Sequence, residues 1–324
     1  MQSIDSNFDF APAASLTALQ QRDELLRQLR EFFHAREFVE VETPLLASEV
    51  IPELHIEPIA LASSSTESWW LQASPELHMK RLIAAGATAI FQVTRSFRAG
   101  ERGRLHNPEF TMVEWYRTGD DMQAGMDLLD DLTQTLLGTP PVKHTTYAEA
   151  FQEYSGLCPH TATTVELAAA VRGISVPDGM DAADRDEWLN LLLAKLVEPQ
   201  LGRDRLEFLY HYPATQAALA QVVQTEAGYE VAERFELYYR GVELANGYHE
   251  LADAAELCKR FTAVNAARVA DGRSALPMPK RLLAALQHGQ PDCTGAALGF
   301  DRLAMLAIGA TSIDEVIAFP QERA

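Results

Sequence analysis

The sequence is poor in cysteine. It has three in 324 residues, Cys158, Cys258 and Cys293, far apart and odd in number. With no CxxC pair, neither a structural zinc site nor a disulfide framework is expected. Long apolar runs are missing, so no bilayer-spanning segment and no membrane partner are expected. Met1 to Ala14 has acids and no apolar core, so it does not read as a signal peptide, and the cytoplasm is the default compartment. Positive charge is scarce too: 27 Lys and Arg face 46 Asp and Glu, a net charge of −19. Binders of nucleic acid need cationic surface to replace phosphate counterions, and this chain's average field gives no such help. The balance points to small-molecule substrates and a basic protein partner, or simply to solubility. Neither GxGxxG nor GxxxxGKS occurs, so the usual phosphate cradles are absent.

What is present suits a large folded core. Hydrophobic residues make up 47% and charged residues 23%, enough for one big domain or one domain with an insertion. Residues 1–14 read as a loose tail, and 15–324 as the folded unit. Leu25, Leu26, Leu29, Phe32 and Phe33 share a face of a helix over 16–36. Val39 and Val41 alternate with acids in an edge strand stopped by Pro44. A hairpin is expected over 55–72, a turn at Ser74-Pro75-Glu76 into a helix to about 85, and strands over 89–97 and 109–117 joined by a polar loop. A helix over 122–137 precedes a mostly helical inserted region, 145–205, that carries no recognisable chemistry. Strands return at 206–211, 230–240 and 242–248, then helices at 253–270 and 279–288, a glycine-containing strand at 295–299 and a helix over 301–308. This order implies an α+β fold on a mainly antiparallel sheet flanked by helices.

Three clusters carry chemistry. The first is Phe97-Arg98-Ala99-Gly100-Glu101, followed by His106, Asn107, Pro108, Glu109 and Phe110, then Glu114, Trp115 and Tyr116. A hairpin of this kind can hold a cation beside a phosphate while an aromatic face stacks on a base. The second is Glu236, Glu243, Asn246, Tyr248 and Glu250. Glu236 and Glu243 flank a turn at Arg240-Gly241, so a hairpin would bring both carboxylates near one divalent cation. Glu250 lies beyond them and can bind an ammonium group. The third is Ala297-Leu298-Gly299-Phe300-Asp301-Arg302. An arginine in a first helical turn opposes the helix dipole, which implies another job, such as pairing with a triphosphate.

Together the clusters resemble the class II aminoacyl-tRNA synthetases. Phe97-Arg98 through Phe110 looks like their motif 2, Gly299 to Arg302 like motif 3, and Val41-Glu42-Thr43-Pro44 like the end of motif 1. Ser74-Pro75-Glu76-Leu77 with Lys80-Arg81-Leu82, His106 to Met112, and Glu243 to Gly247 narrow the resemblance to the lysyl branch. Within it the chain is most similar to the short paralogues that ligate lysine to elongation factor P. The catalytic pattern starts near residue 20, which leaves no room for an anticodon-binding barrel, and Ala297 stands where lysyl synthetases carry glycine.

The resemblance implies ATP and Mg²⁺ as cofactors and a class II catalytic fold. Arg98 would contact the α-phosphate and the substrate carboxylate, and Arg302 the γ-phosphate, making these the catalytic pair. Phe110 would stack on adenine, with Ala99, Gly100, Glu101, His106, Asn107, Leu244 and Gly299 also at the nucleotide. Glu236 and Glu243 would hold magnesium. Ser74, Pro75, Glu76, Tyr116, Asn246, Tyr248, Glu250 and Ala297 would form the amino-acid pocket, with Glu250 and Glu76 on the two amines. One departure stands out: the family pattern is Arg-x-Glu, whereas here Gly100 takes the Glu position and Glu101 follows one later. The implied reaction is activation of lysine, in particular (R)-β-lysine, as an adenylate, then transfer to a lysine ε-amine of elongation factor P. The implied assembly is a homodimer that does not use tRNA. The alternatives are a minimal lysyl-tRNA synthetase and a non-catalytic regulatory paralogue.

Overall fold

The computed structural model describes residues 10–61, 68–171, 173–177 and 179–324. Most of the expected tail, and residues 62–67 of the expected hairpin, lie outside these. The described end of the tail is docked: Ala13 N donates to Ala318 O at 2.8 Å, and Ala14 is buried.

The chain opens with α1 (Leu16–His34), capped by the Ser15 hydroxyl, which accepts from Ala18 N. Its Leu25, Leu29, Phe32 and Phe33 are buried. Then come β1 (Val39–Glu40), β2 (Leu46–Ala47), β3 (Ala60–Leu61), β4 (Trp69–Leu71), α2 (Glu76–Ala84), β5 (Ala89–Phe97), β6 (Glu109–Thr118) and α3 (Met122–Leu137). Asp121 caps the start of α3, and Gly138, in the left-handed region at φ 62°, ends it. The middle third holds β7 (Lys143–Thr146), α4 (Tyr147–Ser155), α5 (Thr164–Ala170), α6 (Arg185–Leu192), β8 (Glu207–Pro213) and β9 (Val222–Gln224). The last third holds β10 (Glu230–Tyr239), β11 (Val242–His249), α7 (Ala254–Ala270), α8 (Lys280–Gly289), β12 (Cys293–Gly299) and α9 (Phe300–Ala307).

A nine-stranded sheet runs in the order β1-β5-β6-β12-β11-β10-β8-β7, with β9 paired to β10. Its outermost pairs, β1 with β5 and β7 with β8, are parallel, and the ladders between them are antiparallel. β2, β4 and β3 form a separate small sheet. The two-residue period sorts the side chains. Val113 and Trp115 of β6, Leu298 of β12 and Phe208 of β8 join the core under α1, α3 and α9. Met112, Glu114 and Tyr116 alternate with them and face the other way. On that other face, α4, α5 and α6 pack on Leu209, Tyr212 and Tyr238.

Expectation and structure differ at the short strands. β2 and β9 are two and three residues long, too short to show alternation. Residues 145–146, expected in the helical region, end β7, which lies parallel to β8. Thr146 closes that strand and also caps α4 in a reciprocal box with Glu149, so one residue serves both elements.

Candidate active site

The central strands present one face to a cavity of about 270 Å³. Across β11, β12 and β6 the register aligns Asn246 with Ala297 and Glu114, and Tyr248 with Gly295 and Tyr116. Gly295 must be glycine: a Cβ there would lie 2.3 Å from the Tyr116 ring and 2.6 Å from Glu250. Its absence lets the Tyr116 ring cross the strand, where the hydroxyl donates to Glu114 Oε1 at 2.6 Å.

At the Glu76 end of this cavity the charge is concentrated. Lys80, on α2, places its ammonium 2.6 Å from Glu76 Oε1 and 2.6 Å from Glu250 Oε2, and both Lys80 and Glu250 side chains are about 1% exposed. Burial disfavours the Lys80 ammonium, but the Glu250 and Glu76 carboxylates outweigh it and hold the lysine well above its ordinary value. Glu114 is raised well above the ordinary carboxyl range, first by burial and then by the Glu76 charge. Its Oε2 and the Oδ1 of Asn246 are buried with no hydrogen-bond partner among the described residues. Three acidic side chains and one ammonium make this end rich in oxygen acceptors, and a bound cation would favour the ionised form of Glu114.

At the other end stands Arg98, immediately after β5, with its guanidinium 5.1 Å from the Phe110 ring and 3.8 Å from Glu101. Its buried Nε also lacks a partner among the described residues. Arg302, in the first turn of α9, donates to Glu243 O at 2.8 Å and to His106 Nε2 at 2.7 Å. His106 is therefore neutral, its basicity lowered by burial and by Arg302. Asn107 is committed to backbone, donating to Glu109 O and accepting from Gln321 N.

Of the residues singled out in the sequence, the cavity is lined by Ser74, Glu76, Arg98, Glu101, His106, Asn107, Phe110, Tyr116, Glu243, Leu244, Asn246, Tyr248, Glu250, Ala297, Gly299 and Arg302. Pro75, Ala99, Gly100 and Glu236 are not part of the lining. Pro75 is the N-cap position of α2, and Ala99 N is tied to Glu57 O at 2.9 Å. Gly100 sits at φ 74°, so the carboxylate of the motif 2 loop that reaches the cavity is Glu101. A Cβ on Gly299 would meet its nearest neighbours at 3.7 Å, ordinary contact, so the protein alone does not require glycine there.

Glu236 is buried beside the cavity, paired with Arg234 and accepting from the Tyr238 hydroxyl at 2.6 Å. The same hydroxyl lies 3.3 Å from Glu198, which a π-helical turn over Leu193–Val197 and Pro199 bring in from the helical region. Burial and the Glu236 and Glu243 charges push Glu198 up to about 7. Glu243 is raised by burial and Glu236, against Arg302. Among the described residues no group of three or more His, Cys, Asp or Glu side chains is set to hold a metal ion by itself.

Sequence reasoning gave no role to Lys80, Glu114, Glu53 or Glu198. Lys80 had a signal, four residues from Glu76 on one helix face. Glu114 had one too, sharing the β6 face with Tyr116. Glu53 lies in a segment without periodicity, and Glu198 in the mostly helical region in which no chemistry is recognisable.

This sheet, with its motif-bearing hairpin and terminal glycine-arginine helix, defines a class II synthetase catalytic core. Residues 8–323 match the family model for class II tRNA synthetases (D, K and N), and the chain belongs to that family. Among curated relatives, it is 45% identical over 319 residues to the elongation factor P–(R)-β-lysine ligases of Salmonella gallinarum and Klebsiella pneumoniae, and 44% identical to that of Salmonella arizonae. Each alignment covers 97% of this chain and 98% of the relative.

Proposed function

We propose that this enzyme activates (R)-β-lysine with ATP and transfers the β-lysyl group to a lysine ε-amine of elongation factor P. One observation carries the reading: the cavity gathers the acids Glu76, Glu114 and Glu250 at one end and the cations Arg98 and Arg302 at the other. That polarity suits a diamino acid whose ammonium groups lie at one end and whose carboxylate meets a triphosphate at the other. The near full-length likeness to β-lysine ligases supports the same assignment.

In the first step the substrate carboxylate attacks the α-phosphorus and pyrophosphate leaves. Arg98 takes the charge that develops on the α-phosphate, and Arg302 binds the departing end of the triphosphate. Their backbones sit on rigid supports, a strand end and a helix start, so only the Arg98 side chain has to turn when ATP binds. Phe110 offers its ring to adenine once the Arg98 guanidinium turns to the phosphate. Glu76, Glu250 and Glu114 fix the amines, with the orphan acceptors of Glu114 and Asn246 finding donors there. In the second step the acceptor amine attacks the acyl carbon and AMP leaves.

Magnesium fits the carboxylates beside Arg302. Glu198, Glu236 and Glu243 crowd acidic groups there, and burial with their mutual repulsion raises Glu198 and Glu243, a cost that a divalent cation would offset. Because Glu236 is engaged by Arg234 and Tyr238, Glu243 would be the direct ligand and Glu236 would support it. Bound magnesium would neutralise triphosphate oxygens.

Residues 15–324 act as one catalytic domain, with a mostly helical insertion that begins after β7 at Tyr147. The protein acts as a homodimer through the motif 1 segment, whose Val39, Leu45 and Leu46 are 60%, 42% and 40% exposed. Light scattering that gives a monomer mass at micromolar concentration would overturn the dimer. No helix of the described residues is long and apolar enough to cross a membrane, and we place the enzyme in the cytoplasm. Its −19 charge makes tRNA a poor partner. The decisive test is mass spectrometry of elongation factor P after incubation with enzyme, ATP and each lysine isomer, beside an acylation assay on tRNA. A gain of one β-lysyl group on the factor and none on tRNA is expected. Charging of tRNA alone would reverse the assignment.

A further inference from the structure

Attack on an acyl-adenylate by a lysine amine raises a problem that attack by a ribose hydroxyl does not. Near neutrality the amine is an ammonium ion with no lone pair, so a base must take its proton first. Such a base has to line the cavity, lie near Arg98 and have a carboxylate not already committed. The cavity is lined by the carboxylates of Glu49, Glu53, Glu76, Glu101, Glu114, Glu243, Glu250 and Asp301. Seven are engaged by other residues: Glu49 with Arg281, Glu76 and Glu250 with Lys80, Glu101 with Arg98, Glu114 with Tyr116, Glu243 with Arg302 and Asp301 with Arg22. Of these eight, only Glu53 has both carboxylate oxygens free of hydrogen-bond and ion-pair partners among the described residues.

Its backbone, by contrast, is held firmly. Glu53 lies in the connection between β2 and β3. Its carbonyl accepts from Arg268 Nη1 at 3.0 Å, and Arg268 is fully buried on α7. The other Arg268 nitrogen pairs with Glu57 at 2.7 Å, and Glu57 O accepts from Ala99 N at 2.9 Å. The connection is thus clipped between α7 and the loop that carries Arg98. The charged groups around the Glu53 carboxyl are Glu76 and Lys80 on α2, Arg98, and Arg234 on β10. Burial and the Glu76 charge push it up to about 7 against the three cations, close to the pH at which a general base works best.

We propose that Glu53 is the general base of the transfer step. This rests on the ligase reading above and deepens it. The Glu53 carboxylate takes one proton from the acceptor ammonium. The freed nitrogen lone pair forms the C–N bond at the acyl carbon, and the acyl C–O bond breaks with its electron pair leaving on AMP. The nitrogen's second proton goes to solvent as the amide forms, and Glu53 returns its own proton to water between turnovers. The first half-reaction needs no base, because the attacking carboxylate is already ionised.

The test compares wild type with Glu53→Gln in three assays on the same preparation: pyrophosphate exchange with ATP and β-lysine, single-turnover transfer from the preformed adenylate to elongation factor P, and trapping of the adenylate by hydroxylamine, an amine already neutral near pH 7. Exchange should stay within about threefold and hydroxylamine trapping near wild type, while transfer to the factor falls about a hundredfold or more. The wild-type transfer rate should rise with pH to a plateau above about 7, and the variant should lack that limb. Exchange in the same sample shows that the variant is folded. Transfer within about threefold of wild type would overturn the proposal. So would a parallel fall in exchange and trapping, which would make Glu53 a substrate ligand. A wild-type enzyme that exchanges pyrophosphate but never labels the factor would remove the ligase reading and this inference with it.

Discussion

Lys80 Nζ lies 2.6 Å from Glu250 Oε2, and neither side chain is more than about 1% exposed. The same ammonium holds Glu76 at 2.6 Å. Removing one member of a buried pair typically costs about 3–5 kcal/mol, because the remaining charge stays buried and uncompensated. Lys80→Met should therefore lose about that much in urea unfolding, and Lys80→Met/Glu250→Gln should regain part of it by deleting one stranded carboxylate. A single variant within about 1 kcal/mol of wild type would show that removing the ammonium strands no buried charge.

In the proposed mechanism Arg98 and Arg302 are the fixed cations that meet the triphosphate. Changing either to Ala should cost about 3 kcal/mol or more of transition-state stabilisation, a loss above about a hundredfold in pyrophosphate exchange. Arg98 turns to no buried partner through its Nε, so truncation at that position should leave thermal stability nearly unchanged. Normal exchange in either variant would remove these residues from the mechanism.

His249, at the end of β11 and next to Glu250, is a pH-dependent brace. Its Nδ1 lies 2.5 Å from Glu233 and its Nε2 2.8 Å from Asp292. The Glu233 hydrogen bond is the main reason its pKa rises from 6.5 to about 9, against burial. A group raised on folding contributes stability that is fully present below its unfolded value and is lost as pH climbs through the folded one. The stabilising contribution should thus be whole below 6.5 and gone above about 9. With Asp292 exposed and screened, about 1–2 kcal/mol is expected. Melting curves of wild type and His249→Gln should differ at pH 6 and converge at pH 10. A constant gap across that range would mean that the imidazolium contributes nothing.

Much of the fold was legible because long elements announce their own period. The strands of the motif hairpin and the helix over 122–137 fall where alternation and capping residues put them. β2 and β9 did not, since two or three residues carry no period and their pairing is decided by partners elsewhere. The site divides in the same way. Arg98, Phe110, Glu243 and Arg302 belong to recognisable motifs, but the value of Lys80 depends on Glu250, far along the chain on another element. Glu53 was invisible because Ile51-Pro52-Glu53-Leu54 is irregular, and only the clip by Arg268 from α7 sets its position.

Ala297 supplies the last prediction, which rests on volume. The register sets it between Asn246 and Glu114 on the cavity face of β12, and it lines the cavity. The resemblance to the lysyl branch implies a glycine at this position beside the amino-acid backbone, where this chain has a methyl group. In the proposed binding mode an α-amino group would meet that methyl, whereas a β-amine, one carbon further along, would bypass it. Overpacking of this size costs about 1–3 kcal/mol, and discrimination by one methylene-sized feature is of the same order. Ala297→Gly should therefore improve kcat/KM for α-lysine by about tenfold to a hundredfold in pyrophosphate exchange. Use of β-lysine should hardly change, because no clash is relieved. The measurement is the isomer ratio in wild type and variant under identical conditions. An unchanged ratio would move the selector from Ala297 to the carboxylates around Glu76, where the position of the second amine is read by charge instead of by space.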